Sequence, residues 1–233
     1  MTTWLERVTA VVETAAPPQV EEPAVVRRRR IVVVIGGVLG ALLLGISLTR
    51  EPGDASFYWL TAALAAVWAI AALVSGPLRL GTITWGGRER RPVLLGLGMG
   101  LATGAAFVVG ALIVRQIDVI AGPIGAVMQF ANQGALPLVV AITLVNGVAE
   151  ELFFRGALYT ALEGARPVLI STLLYIVATL ASGNPMLGFA AVVLGLICAV
   201  QRRATGGVLA PVLTHLVWGL IMVLALPPIF AGA

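Results

Sequence analysis

Two adjacent carboxylates and an arginine lie in an otherwise apolar stretch, VNGVAEELFFRGALYT, at residues 145–160. On a helix, Glu151 and Arg155 are four residues apart and share one face, so they can form an ion pair. Glu150 lies about 100° around the helix, on the face that carries Asn146, and points away from that cation. A carboxylate in a desolvated site can take a proton from water, which makes Glu150 a candidate general base.

His215, the single histidine of the chain, lies in another apolar run and is the expected partner of Glu150. The two predicted helices meet the cytoplasmic side near these residues, which places both groups roughly 8–12 Å above it. A charged group at the middle of a membrane costs roughly 2.5–3.5 kcal/mol, so such groups persist when they are paired, hydrated or used. A purely structural role, with His215 bonding between helices, stays open beside a functional one. Because charged groups in a membrane are costly, a functional role for this cluster is the preferred interpretation.

The chain around these residues is far more apolar than a soluble protein. Of its 233 residues 59% are hydrophobic and 11% are charged, whereas about a quarter of the residues of soluble domains are charged. This composition predicts an all-α, polytopic membrane helix bundle. The single cysteine, Cys198, lies in an apolar run and excludes both a disulfide framework and a CxxC metal site.

About seven stretches have the roughly 20 apolar residues that a transmembrane helix needs. They are residues 31–49, 57–75, 93–114, 136–155, 167–182, 185–201 and 207–226. All 15 basic residues are arginines. With the N-terminus in the cytoplasm, every arginine except Arg50 and Arg115 falls on the cytoplasmic side, as the positive-inside rule requires.

The chain is predicted to have four segments. Residues 1–30 form a cytoplasmic tail whose apolar residues recur at helical spacing, so it is either a short amphipathic surface helix or a disordered tail. Residues 31–135 hold the N-terminal transmembrane helices and loops. Residues 136–226 hold the charged cluster, and residues 227–233 form a C-terminal tail.

Glycines at four-residue intervals occur in the first and third predicted spans: Gly36 and Gly40, then Gly96, Gly100 and Gly104. Small residues at this interval let two helix backbones approach closely. Packing within the chain is the preferred interpretation, and a dimer interface is the alternative.

Three stretches together resemble one known family. EELFFRG at 150–156 resembles the EExxxR motif of the CPBP (CAAX protease and bacteriocin-processing, or Abi) intramembrane endopeptidases. STLLYIVATL at 171–180 is similar to the second motif, in which an aromatic residue is followed four residues later by His. The stretch at 195–220, which contains TGGVLAPVLTH, is similar to the third and fourth motifs, the last of which is His-x-x-x-Asn. The resemblance covers residues 136–226.

The resemblance implies hydrolysis of a peptide bond inside the membrane. It implies that Glu150 is the base that activates water and that Glu151 and Arg155 support the site. It assigns His215 to stabilising the oxyanion. Water must lose a proton and the tetrahedral charge must be stabilised, so this division of roles is chemically coherent.

Two positions depart from the family pattern. The chain has Thr179 four residues after Tyr175, where the pattern has His, and Gly219 where the pattern has Asn. Threonine cannot act as a base near neutral pH, and glycine has no side-chain donor. Asn146 and Asn184 are possible substitutes. Either Glu150 activates water alone while His215 serves two roles, or the chain is a non-catalytic relative.

The expected function is an intramembrane endopeptidase of this type, with its site open to the cytoplasm and a membrane-associated peptide or protein as substrate. The alternative is a degenerate family member that acts as a membrane binding or scaffold protein. An ion or proton pathway is disfavoured because no internal repeat is visible. The expected partners are this substrate or client and the lipid bilayer, without nucleic acid. The expected location is the plasma membrane of a bacterium, with a cytoplasmic N-terminus.

The family is often labelled metalloprotease, which raises zinc as a cofactor. Hydrolytic zinc sites usually have two or three His among three protein ligands. The candidates here, Glu150, Glu151 and His215, include one His. The sequence therefore predicts no tightly bound metal, and zinc stays open on the family label alone.

Overall fold

The helices of the protein follow one another with short connections in a computed structural model that describes residues 15–18 and 20–231. They are α1 (Pro23–Ser47), α2 (Ala55–Ser75), α3 (Val93–Val114), α4 (Asp118–Asn132), α5 (Leu136–Ala161), α6 (Pro167–Leu180), α7 (Pro185–Thr205) and α8 (Leu209–Phe230). An antiparallel hairpin, β1 (Ile83–Trp85) and β2 (Arg88–Arg90), connects α2 to α3. The amphipathic helix considered for the N-terminal tail falls on residues 1–14, outside the described residues.

Within the described residues, six helices are long and apolar enough to cross a membrane: α1, α2, α3, α5, α7 and α8. This confirms the predicted all-α polytopic bundle. The fifth predicted span, 167–182, corresponds to α6, which has 14 residues. A helix of that length is about 21 Å long, shorter than the roughly 30 Å hydrocarbon core of a bilayer.

Helix α4 and the hairpin were not predicted. Pro123 lies inside α4, which has only 15 residues, so the segment resembled a loop between two spans. Packing stabilises it, because Ala121 and Ile124 contact Phe230 and Leu226 at the end of α8. This contact lies far from α4 in sequence, and a local pattern does not reveal it.

The glycines at four-residue intervals pack within the chain, as predicted. Gly36 and Gly40 of α1 face Ala71 and Trp68 of α2, and Gly96, Gly100 and Gly104 of α3 face Leu213, Val217 and Ile221 of α8. A Cβ added at Gly100 would lie 2.7 Å from Cβ of Val217 and 2.8 Å from the carbonyl oxygen of Thr214. Only glycine allows this approach of α3 to α8.

One end of the bundle collects the arginines, and we call it the basic end. Here the backbone N–H groups of Val208 and Leu209 donate to the carbonyl oxygens of Arg79 (2.9 Å) and Leu80 (3.1 Å), joining the α2–α3 connection to the start of α8. Helix α1 begins at the same end, eight residues earlier than the predicted span at 31, and includes the RRRR segment.

Arg29 explains why that segment is helical rather than a free tail. Its side chain is fully buried, pairs with Glu21, and donates to Oγ of Ser75 (2.9 Å) and to the carbonyl oxygen of Pro77 (3.0 Å). These bonds hold the start of α1 against the end of α2.

Candidate active site

The charged motif lies where α5 changes its helical form. Leu136–Glu151 is α-helical, Leu152–Leu158 is π-helical, and Tyr159–Ala161 is α-helical again. Short π-helical segments are rare and often occur at functional sites. The π-helical segment turns the adjacent phenylalanines of the motif toward α2, where the rings of Phe153 and Phe154 have centroids 6.2 Å and 5.3 Å from that of Trp68. These rings fix α5 against α2.

Glu151 is fully buried and is bonded from two helices. Its Oε1 accepts from Nη1 of Arg155 at 2.9 Å, which is the ion pair that the spacing predicts. Nδ1 of His215 lies 2.8 Å from the same oxygen. The expected bond between His215 and Glu150 is therefore replaced by a bond to Glu151.

Gly147 explains why the imidazole reaches Glu151. A Cβ at this position would lie 3.1 Å from Cδ2 and 3.5 Å from Nε2 of His215. The ring therefore packs directly on the backbone of α5, one turn before Glu151.

Arg155 joins three helices at the site and is almost fully buried. Besides Glu151, its guanidinium donates from Nη2 to the carbonyl oxygen of Gly195 on α7 (3.0 Å). It also lies over the ring of Tyr175 on α6, with 4.4 Å between the guanidinium carbon and the ring centroid. A planar guanidinium suits both contacts at once.

Glu150 has a different environment from Glu151. It is partly exposed, and its Oε2 accepts a hydrogen bond of 2.7 Å from the hydroxyl of Tyr175. The donor to this carboxylate is thus a neutral hydroxyl, whereas the arginine and the histidine both bond to Glu151.

Residues 132–221 match the family model named Rce1-like, whose description is type II CAAX prenyl endopeptidase Rce1-like. This part of the chain resembles that family, and we call it the Rce1-like segment. The match confirms the resemblance to the CPBP family and supports a membrane endopeptidase of the CAAX-protease type at the level of the family. With the six apolar helices, it identifies an integral membrane protein. No curated protein and no solved structure shows significant similarity to the chain.

The Rce1-like segment contains all the candidate residues, and the two that depart from the family pattern are one helical turn from the charged cluster. Oγ1 of Thr179 donates to the carbonyl oxygen of Tyr175 in its own helix (2.9 Å). Gly219, one turn after His215, faces α5, where an added Cβ would lie 3.4 Å from Cγ2 of Thr143. Neither position supplies a side-chain donor to the cluster.

The two asparagines considered as substitutes have different environments. Asn146 is buried one turn before Glu150. Its Nδ2 donates to the carbonyl oxygen of Ile142 (3.0 Å), and its Oδ1 has no hydrogen-bond partner in the described part of the chain. Asn184 caps α7, where its Oδ1 accepts from the backbone N–H groups of the first turn, and its Nδ2 donates to Pro123 (2.8 Å). Asn146 therefore lies beside the cluster, whereas the side chain of Asn184 is bonded at the start of α7.

Sequence reasoning missed Arg202, which it placed among the cytoplasmic arginines. Its side chain is buried in the last turn of α7, and its Nε donates to the main-chain oxygen of Arg155 (2.9 Å). It also lies over the ring of Tyr159, 4.7 Å from the centroid. Cys198 is fully buried, and its thiol donates to the carbonyl oxygen of Pro211 (3.8 Å). The signal for Arg202 was its position at the end of an apolar run, but Arg155, to which it donates, is 47 residues away in the sequence.

In the Rce1-like segment, one oxygen of each glutamate of the motif is already bonded within the chain. Oε1 of Glu151 is bonded to Arg155 and His215, and the hydroxyl of Tyr175 is bonded to Glu150. Among the described residues, no group of three or more His, Cys, Asp and Glu side chains is placed to hold a metal ion.

Proposed function

We propose that the protein is an intramembrane endopeptidase in which Glu150 activates water. The observation that supports this proposal is the division of partners between the two adjacent glutamates. Glu151 is bonded to Arg155 and His215, while Glu150 is partly exposed and accepts from a hydroxyl. A carboxylate that is oriented but carries no bonded cation can accept a proton from a water molecule.

In the proposed reaction, Glu150 takes a proton from water as the water oxygen bonds to the carbonyl carbon of the substrate. The carbonyl electron pair moves to oxygen and forms an oxyanion. The carbon–nitrogen bond then breaks, the carbonyl re-forms, and the leaving nitrogen takes the proton from Glu150. The carboxylate is thereby restored for the next cycle.

His215 stabilises the oxyanion in this proposal. Glu151 accepts from Nδ1 of the ring, so the imidazolium form presents its second N–H, at Nε2, for a hydrogen bond. Arg155 holds Glu151 in place through a buried ion pair. Asn146, with an unpartnered side-chain oxygen beside Glu150, lines the site and binds the water.

The proposed substrate is a membrane-associated peptide or protein that approaches from the cytoplasm. The arginines gathered at the basic end favour a cytoplasmic location for that end and for the N-terminus. Arg155 belongs to the charged cluster, and Arg202 donates to its main-chain oxygen. Both lie on parts of their helices that approach the basic end. A substrate at the cytoplasmic side of the bilayer thus has the shorter path to Glu150.

The test maps new protein N-termini in membranes that contain the wild type, Glu150→Gln or Glu89→Gln. Glu89 is exposed on the hairpin and undergoes the same chemical change away from the site. We expect cleavage with the wild type and Glu89→Gln and none with Glu150→Gln. Cleavage that survives in Glu150→Gln contradicts the proposal. If neither the wild type nor Thr179→His cleaves any protein, the scaffold function replaces it.

A further inference from the structure

A cavity of about 510 Å³ opens at the basic end, between α6 and α7. One wall is apolar and is formed by Leu169 and Leu173 of α6 and Leu196 of α7. Arg166 and Arg203 also line it. The segment at residues 15–18 closes one side, where the backbone N–H of Ala16 donates to the carbonyl oxygen of Arg203 (2.9 Å).

The three leucines of the apolar wall are each about half exposed, at 52%, 50% and 51%. They belong to helices of the membrane bundle, so their exposed surface faces hydrocarbon. Arg166 directly precedes α6 and Arg203 lies in the last turn of α7, which places both at the membrane–water interface. The cavity is therefore apolar toward the membrane and basic toward the water.

Among the described residues, two positive charges at this cavity have no counter-ion. Arg202, at its floor, is offset by Glu163, with 3.6 Å between Nη2 and Oε1. It also donates to Arg155 and to Thr160. The side chains of Arg166 and Arg203 are exposed and make no hydrogen bond or ion pair within the described residues.

We propose that this cavity binds an anionic phospholipid. The headgroup phosphate lies between Arg166 and Arg203, and an acyl chain runs along the leucine wall. Basic pockets between transmembrane helices at the cytoplasmic side recognise anionic headgroups through this combination of charge and apolar surface. The site is separate from Glu150, so its existence does not depend on the proposed reaction.

The test measures binding of phosphatidylglycerol and phosphatidylcholine to the purified full-length protein in detergent by native mass spectrometry. The double variant Arg166→Gln, Arg203→Gln is compared with Arg88→Gln, Arg90→Gln, which removes the same charge from the exposed hairpin. One interfacial arginine contributes roughly a fivefold gain in lipid affinity, so we expect roughly 25-fold weaker phosphatidylglycerol binding for the cavity pair. The hairpin pair should bind almost as the wild type does.

A second variant, Leu169→Trp, fills the apolar wall without changing charge and is expected to weaken binding of the same lipid. Equal losses in the two arginine pairs would show a general charge effect and overturn the proposal. Equal binding of the two lipids by the wild type would also overturn it. Competition by free glycerol phosphate at concentrations similar to those of the lipid would identify a phosphate site without an acyl-chain component, contrary to the proposal.

Discussion

Nδ1 of His215 lies 2.8 Å from Oε1 of Glu151, and the adjacent Glu150 is bonded to Tyr175 instead. Two glutamates that are neighbours in the sequence therefore differ in burial, in partners and in charge environment. Glu151 is the anion that neutralises Arg155 and orients the imidazole. In the proposed mechanism, Glu150 is the carboxylate that remains for chemistry.

This difference predicts that the two Glu→Gln variants fail in different ways. Glu151→Gln leaves Arg155 buried without its counter-ion, and removing one partner of a buried pair costs about 3–5 kcal/mol. We expect a clearly lower thermal unfolding midpoint in detergent for Glu151→Gln. Glu150→Gln should keep the wild-type midpoint and lose cleavage. Equal loss of stability in both variants would show that the glutamates share one structural role.

Tyr175 is expected to position Glu150, and Tyr175→Phe tests this role. The variant removes the hydroxyl that donates to Glu150 but keeps the ring beneath the Arg155 guanidinium. Because a hydrogen bond to a charged group contributes about 1.5–3 kcal/mol, we expect kcat to fall about tenfold or more with KM unchanged. The unfolding midpoint should change little. Tyr175→Leu, which also removes the ring, should be less stable; an unchanged kcat in Tyr175→Phe argues against the positioning role.

Restoring the family residues at positions 179 and 219 is expected to increase activity. Position 219 accepts an added Cβ, because the nearest atom to it is 3.4 Å away. An asparagine there adds a donor beside His215, and one oxyanion donor contributes about 10²–10³ in rate. We expect Gly219→Asn to cleave faster than wild type and Gly219→Ala to match it.

Thr179→His restores the second-motif histidine one turn from Tyr175 and is expected to raise the cleavage rate as well. Rates are compared on one substrate identified by N-terminal mapping. A decrease in both restored variants, with folding intact, would show that the site has diverged from the family chemistry.

The close approach of α3 to α8 predicts that substitution by alanine has different effects on stability at two glycines of α3. Gly100→Ala places a Cβ 2.7 Å from Val217, and overpacking of this kind costs about 1–3 kcal/mol. Gly98 has no atom within 4 Å of an added Cβ, so Gly98→Ala should be neutral or should stabilise by up to about 1 kcal/mol. Thermal unfolding in detergent measures both. Equal behaviour of the two variants would contradict the packing of α3 on α8.

The sequence by itself determined the features that depend on local spacing. Apolar runs located the six long helices, because a transmembrane segment must be apolar along its own length. Four-residue spacing located the ion pair of Glu151 with Arg155, since one turn of helix brings them together. The same reasoning placed the glycine intervals at helix contacts.

Tertiary structure alone decided the partners that come from different helices. His215 and Glu151 are 64 residues apart, and the packing of α8 on α5 at Gly147 decides which glutamate the ring reaches. Arg202 is buried because Arg155 and Tyr159 meet it across helices. A shift of one residue in helix packing would change each of these pairs without altering any local pattern. For this reason the sequence could name the residues of the cluster but not their pairing.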